Sequence, residues 1–281
     1  MSAWLPARLR DLGYVEGQNI LIDSRYAEGQ SDQLPALAAD LVRAAPAVIW
    51  THSSAAVQAL TQATTTIPIV VGVVPELETQ GLVESLRQPG GNLTGLESRD
   101  LELMGRRLEL LKEAIPTIAR VAILVHPTPG DASVPGNIAA EAHALGVQLQ
   151  RVEASTPADF VGAFAAMVQS GADGLIIVDH PHFARHRQQL VALARQHRLP
   201  TMSGGRHFAT AGSLLTYGVF PRDLCQRSAF FVDKILQGAR PADLPVGRAD
   251  TFYLVVNLKT AAALGMTMPP MFLFKADEVI K

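Results

Sequence analysis

Short apolar runs alternate along the chain with segments whose apolar positions recur every three or four residues. Beside a strand at Val147–Val152, the runs at Ala47–Thr51, Ile67–Val74, Arg120–Val125, Leu175–Val178 and Leu199–Met202 are bounded by Gly, Pro, Asp or Asn, and this predicts buried strands. They are rich in Val, Ile and Leu and do not alternate with polar residues, the pattern of strands covered on both faces. Asn19–Asp23, Asn92–Leu96, Ser213–Tyr217 and Thr251–Val256 read as further extended segments.

Helical periodicity fills the intervals. Trp4–Leu12 ends in Gly13, and Leu34, Leu37, Ala38, Leu41 and Val42 form one apolar stripe. An Ala-rich helix runs to Ala63, and Gly81–Leu86, Leu101–Ile115, Ala132–Leu145, Phe183–His197, Arg222–Gln237 and Asn257–Leu264 follow. Thr156-Pro157-Ala158-Asp159 has capping-box spacing with proline at the first helical position. The helix it opens presents Phe160, Phe164, Met167 and Val168 inward as core.

Strand–helix alternation that restarts near residue 118 predicts an α/β protein of two doubly wound parallel-sheet lobes. The fold-level alternative is an eight-stranded α/β barrel, against which the irregular stretch after Gly212 counts.

Composition narrows the partners. The 281 residues carry a formal net charge of -2 with no basic block, which argues against nucleic acid. Cys225 is alone, so an intrachain disulfide and a cysteine-based zinc site are excluded; among Leu224, Phe231 and Val232 it reads as a buried structural thiol. No apolar run approaches the roughly 18 residues of a membrane span. The first residues, Met-Ser-Ala-Trp-Leu-Pro, lack the basic and apolar regions of a signal peptide, so the chain as written is expected to be cytoplasmic.

Candidate chemistry gathers at strand ends, where open α/β sheets bind ligands. Asp173–Phe183 shows this most clearly: Leu175–Val178 stops at Asp179, His180, Pro181 and His182. With His186 these side chains suggest a metal, but no recognised metal spacing is present, and they read as loop and helix-face histidines with no metal or cofactor. No nucleophile elbow, dinucleotide fingerprint or phosphate loop occurs. What remains is a set of polar groups at strand ends: Ser53, Ser54, Glu76, Thr79, His126, Asp179, Arg206 and Tyr217. Ser53 and Ser54 open a helix, whose free N–H groups suit a carboxylate or are simply capped. Asp179 either holds an ammonium by charge-assisted hydrogen bonds or caps the next turn. Donors on one lobe and an acid on the other suit a small zwitterion held between closing lobes.

Several stretches resemble one family. They are Leu9–Ile20, Tyr26–Gln30, Asp32–Val42, Pro89–Leu96, Arg107–Pro116, Tyr217-Gly218, Val232–Val246 and Asn257–Ala261. The chain is similar to ABC-transporter substrate-binding proteins related to the tryptophan/phenylalanine-binding lipoproteins. The resemblance implies the type I periplasmic-binding-protein fold, with two lobes, a multi-strand hinge and a ligand cleft between them. It places residues 1–97 and about 219–248 in one lobe, and 98–218 and about 249–281 in the other. By matching position, Ser53 and Ser54 lie in a ligand loop of the first lobe. Asp179 matches the acid of an Asp-Pro loop, while Arg206 and Tyr217 fall in Arg-Glu-Phe and Tyr-Gly segments.

The chain departs from the family in three places. Pro75-Glu76-Leu77 stands where Gly-Asp-Pro is common, and Asp179-His180-Pro181 is one residue longer than Asp-Pro. The family's signal peptide and first strand precede the helix in which this chain begins, so a truncated or misassigned start is expected, leaving Asn19–Asp23 and Ile67–Val74 short of a partner. The resemblance implies a non-enzymatic, extracytoplasmic solute-binding protein that takes a small amino acid-like ligand and delivers it to an ABC permease in the membrane. The alternatives are a cytoplasmic small-molecule sensor of the same fold and a cleft enzyme, metal-assisted in one form.

Overall fold

A computed structural model describes residues 4–28, 30–99, 102–127 and 138–281, without the side chains of Val73, Pro75, Pro221, Arg222 and Cys225. The environment expected for the Cys225 thiol therefore lies outside the description. The chain divides into two compact units, Met1–Arg99 with Pro221–Asp250, and Asp100–Phe220 with Thr251–Lys281.

The first unit contains α1 (Trp4–Asp11), α2 (Leu34–Arg43), β1 (Ile49–Thr51), α3 (Ser54–Ala63), β2 (Ile69–Pro75) and β3 (Leu93–Ser98). The second unit follows with α4 (Leu103–Ala114), β4 (Arg120–Val125), α5 (Ile138–Ala144), β5 (Gln148–Glu153), α6 (Asp159–Gln169) and β6 (Gly174–Ile177). It continues through α7 (Pro181–Arg185), α8 (Arg187–Gln196), β7 (Thr201–Ser203), α9 (Arg206–Ala211) and β8 (Leu215–Gly218). The chain returns to the first unit for α10 (Pro221–Leu236) and β9 (Gly247–Arg248). It ends in the second with β10 (Tyr253–Asn257), α11 (Leu258–Ala263), α12 (Pro270–Leu273) and β11 (Glu278–Ile280).

In the second unit the strand order is β11-β10-β8-β7-β6-β4-β5. The pairs from β5 through β8 are parallel, while β10 runs antiparallel to β8 and parallel to β11. Its core explains the non-alternating strands. Val121, Ile123 and Val125 of β4, with Ile176 and Val178, face one apolar layer; Ala122, Leu124, Leu175 and Ile177 face the other. Successive side chains point to opposite faces, so a strand buried on both must be apolar throughout. Phe160, Phe164 and Met167 of α6 are fully buried, each worth roughly 1.5–3 kcal/mol of transfer free energy. Val168, expected beside them, is 45% exposed because it sits one residue past the buried face.

The first unit's described strands run β1-β2-β3-β9, all parallel. Gly95 adopts φ +136, and a Cβ there would lie 2.2 Å from the Val71 carbonyl oxygen. Glycine is therefore what lets β3 approach β2 beside the register shift between Val71 and Val74. Trp50 of β1 donates from Nε1 to Ser228 Oγ at 2.8 Å, and Tyr14 donates to Asp233 Oδ1 at 2.9 Å. These bonds tie β1 and the segment after α1 to α10.

Several expected elements differ. Asn19–Asp23 is not a strand; a turn ends at Asn19, a bridge joins Glu16 to Ile20, and Leu21–Asp23 has no regular secondary structure. The Asn19 side chain accepts from Val15 N and donates to the Gly13 carbonyl, competing with strand pairing. Leu21 is 85% exposed, so no buried face holds the segment extended. β1, not β2, is the edge strand, since β2 is paired on both sides. Gly81–Leu86 is a series of turns closed by Leu82 N–H to Leu77 and Glu84 N–H to Pro89, too short for cooperative helix. The helix expected over Phe183–His197 breaks at His186, which has φ -97 and ψ 15. Of Ala132–Leu145, residues 138–144 form α5, and 132–137 lie outside the description. α9, α12 and β11 carried too few periodic positions to be read from the sequence.

Candidate ligand-binding groups at the strand ends

In the first unit Ser53 caps α3, its Oγ accepting from Ala56 N at 3.4 Å, and Ser54 is the first helical residue. β1 reaches this cap through Thr51 and His52, and burial holds the His52 imidazole pKa below its ordinary value. Glu76 follows β2 with φ +52, an uncommon conformation for a side chain with a Cβ, and its carbonyl accepts from Gln80 N. Thr79 is exposed in that turn. The turn is anchored by Glu97, only 4% exposed, which accepts from Leu77 N at 2.9 Å and from Arg248 Nε at 3.1 Å. Sequence reading ended the extended segment at Leu96 and so passed over Glu97, an acid in a strand that is buried throughout.

In the second unit parallel pairing sets the ends of β4, β6, β7 and β8 along one edge. His126 follows β4 and stacks on His180, with ring centroids 4.1 Å apart and planes at 11°. His182 lies 5.4 Å from His126 and 4.7 Å from His186. His180 is not a loop ornament: it is the N-cap of α7, accepting from His182 N through Nδ1 at 3.2 Å. Burial, then the neighbouring His126 and His182, push its pKa down to about 4. Burial also lowers His182, so both rings favour the neutral form. Among the described residues no group of three or more His, Cys, Asp or Glu side chains is arranged to hold a metal ion.

Asp179 sits between this histidine group and α4. Its Oδ2 lies 3.9 Å from Nη2 of Arg107, and its side chain is 28% exposed. The acid at the other end of the same stretch does different work: Asp173 accepts from Ala119 N and Arg120 N, both at 2.8 Å, and fixes the start of β4. Tyr217 lies in β8, its carbonyl accepting from Arg107 Nε at 2.8 Å and its ring 6.0 Å from Phe252. Arg206 opens α9 and forms a two-pronged pair with Glu278, at 2.8 and 2.6 Å. The pair holds its guanidinium pKa above the ordinary value and directs it to β11. His126, Asp179 and Tyr217 are thus grouped around the edge where Arg107 is buried, while Ser53, Ser54, Glu76 and Thr79 belong to the other unit. A concavity of about 570 Å³ on the first unit is lined by Leu12, Leu96 and Phe230 among others, and none of the eight strand-end residues lines it.

Two α/β units with parallel sheets and strand-end polar groups, joined by three chain crossings, define the type I periplasmic-binding-protein class. The family model for ABC transporter substrate binding proteins matches residues 5–280, and the chain belongs to that family. A curated relative, a tyrosine-binding protein of Clostridioides difficile (strain R20291), is 24% identical over 265 residues, covering 92% of this chain and 74% of the relative. The crystal structure of a conserved domain protein from Vibrio cholerae O1 biovar El Tor is similar at TM-score 0.90 and 28% identity, covering 98% of this chain and 93% of that one. An ABC domain from Streptococcus pneumonia in complex with L-Trp is similar in fold at TM-score 0.88 and 23% identity, covering 99% and 94%. No helix among the described residues is long and apolar enough to cross a membrane.

Proposed function

We propose that this chain is the solute-binding component of an ABC importer and takes a small amino acid with an aromatic side chain. The observation that carries the reading is the Asp179 carboxylate. It lies at the end of an otherwise apolar strand, part-exposed, with a buried arginine behind it and flat rings beside it. A carboxylate so placed suits an α-ammonium, and the stacked rings of His126 and His180 offer faces to an aromatic side chain. The tyrosine-binding relative and the tryptophan-bound structural neighbour support this ligand class. Work outside the cytoplasm, delivery to a membrane permease and the absence of catalysis belong to the same proposal, supported by the family.

Ligand binding stabilises the native state by RT ln(1 + [L]/Kd), about 2.7 kcal/mol at a hundred times Kd. Tyrosine, tryptophan and phenylalanine are therefore expected to raise the melting temperature of the wild-type chain. Asp179→Ala should remove that rise while leaving a folded apo protein. A wild-type melting temperature indifferent to every amino acid would sink the reading, and a full shift in Asp179→Ala would remove Asp179 from the site.

A further inference from the structure

Arg107 is out of place on its helix. It shares a face of α4 with Met104, Leu108 and Leu111, all completely buried, and is itself only 1% exposed. An apolar side chain would serve packing there without the desolvation cost of a guanidinium. Its donors show what it does instead. Nε binds the Tyr217 carbonyl at 2.8 Å, Nη1 reaches Met104 Sδ at 3.7 Å, and Nη2 faces Asp179 Oδ2 at 3.9 Å. That last contact is an ion pair too long for a direct hydrogen bond.

The surrounding backbone is shaped to this pair. A Cβ on Gly204, just past β7, would lie 2.0 Å from Asp179 Oδ2 and 2.3 Å from Arg107 Nη2. A Cβ on Gly218, at the end of β8, would lie 2.4 Å from the Gly204 carbonyl oxygen and 3.2 Å from Arg107 Nη2. Two strand ends thus leave out side chains where the guanidinium and the carboxylate meet. The arginine is sealed, so it has almost no surface with which to touch a ligand, whereas the acid in front of it is 28% exposed.

We propose that Arg107 is the positioning residue of the ammonium subsite: it holds the Asp179 carboxylate aimed at the strand edge, and so acts on the ligand's amino group only through Asp179. This rests on the amino-acid reading above. It names a residue in contact with the site acid and a chemical group on the ligand that the residue controls.

The test is titration calorimetry on the full chain. L-tyrosine, L-tryptophan and L-phenylalanine serve as probes, each beside its des-amino counterpart, such as 3-phenylpropionate for phenylalanine. Arg107→Met is expected to weaken the amino acids by about tenfold or more, while changing the des-amino acids by no more than about twofold. Arg107→Lys, which keeps the charge, should recover part of the loss. In an Asp179→Asn background Arg107→Met should add less than about twofold, because the route through the carboxylate is already cut. Gly204→Ala displaces the pair without removing the charge and should give the same amine-selective loss, covering the case in which Arg107→Met does not fold. Equal losses for both ligand series would make Arg107 merely structural, and full additivity with Asp179→Asn would show that it acts by another route; either overturns the proposal. A wild-type chain that binds none of the three amino acids overturns the amino-acid reading itself, and this inference with it.

Discussion

Acidification should unlock the histidine group of the second unit, and His180 sets the scale. Its pKa is about 4 in the folded chain against an ordinary 6.5, chiefly through burial and then through His126 and His182. Because the folded value is depressed, the unfolded chain takes up the proton first as pH falls. The contribution is fully present above about 6.5 and is lost as pH drops toward 4. With these two values the linkage relation gives a loss of about 2 kcal/mol between pH 7 and pH 5, levelling near 3 kcal/mol below pH 4. Against a typical total of about 5–15 kcal/mol this is a large fraction. His180→Asn isolates the effect, since asparagine can still accept the His182 N–H at the α7 cap but does not titrate.

The assay is urea unfolding at pH 5, 6 and 7 followed by far-UV circular dichroism. Tryptophan fluorescence would follow the wrong part of the molecule, because Trp4 and Trp50 both belong to the first unit. The variant's stability at pH 7 can differ by a constant from the lost stacking; the quantity that matters is the change between pH 7 and pH 5. It should be smaller in His180→Asn by about 2 kcal/mol. Identical pH dependence in the two proteins would refute the reasoning, and would mean that the buried ring is either charged already or hydrated.

Two predictions concern the first unit. Gly95→Ala forces a Cβ to 2.2 Å from the Val71 carbonyl at a φ of +136, and overpacking plus backbone strain should cost roughly 2–4 kcal/mol, read as a lower urea midpoint by Trp50 fluorescence. An unchanged midpoint would mean that β3 moves away from β2 at little cost. Glu97→Gln places an amide NH2 against either the Leu77 N–H or Arg248, and a loss of roughly 1–3 kcal/mol is expected in thermal or urea unfolding; wild-type stability would show that the turn after β2 does not depend on that carboxylate.

The α/β architecture was legible because the central strands of the second unit are covered on both faces, and that condition writes itself into the sequence as an unbroken apolar run, whereas the edge strands β5 and β11 are part-exposed. β4 and β6 are the clearest cases: alternate residues serve opposite helix layers, so no polar position interrupts them. Where one face stays open the signal fails. Asn19–Asp23 has strand-like composition, yet Leu21 is largely exposed and the Asn19 side chain captures the local backbone groups. α9, α12 and β11 are three to six residues long and are held by tertiary contact rather than by periodicity.

Candidate site residues divide along the same line. Asp179, His126 and Tyr217 stand out in a sequence because strand ends are where an apolar run must stop, and the first polar residue there is visible. Arg107 lies 72 positions before Asp179, and only the fold brings the two to 3.9 Å. It was nonetheless marked. A helix face of Met104, Leu108 and Leu111 with a cation at the intervening i+3 position violates the helix's own pattern, and burying that cation is unfavourable unless something in front of it carries the opposite charge. The same logic applies to Glu97, an acid in a strand with no exposed face, whose partners are the Leu77 amide and Arg248. In this chain a charged residue inside an apolar stripe points to its counter-charge or donor at a strand end, and the strand-end edge is where those partners lie.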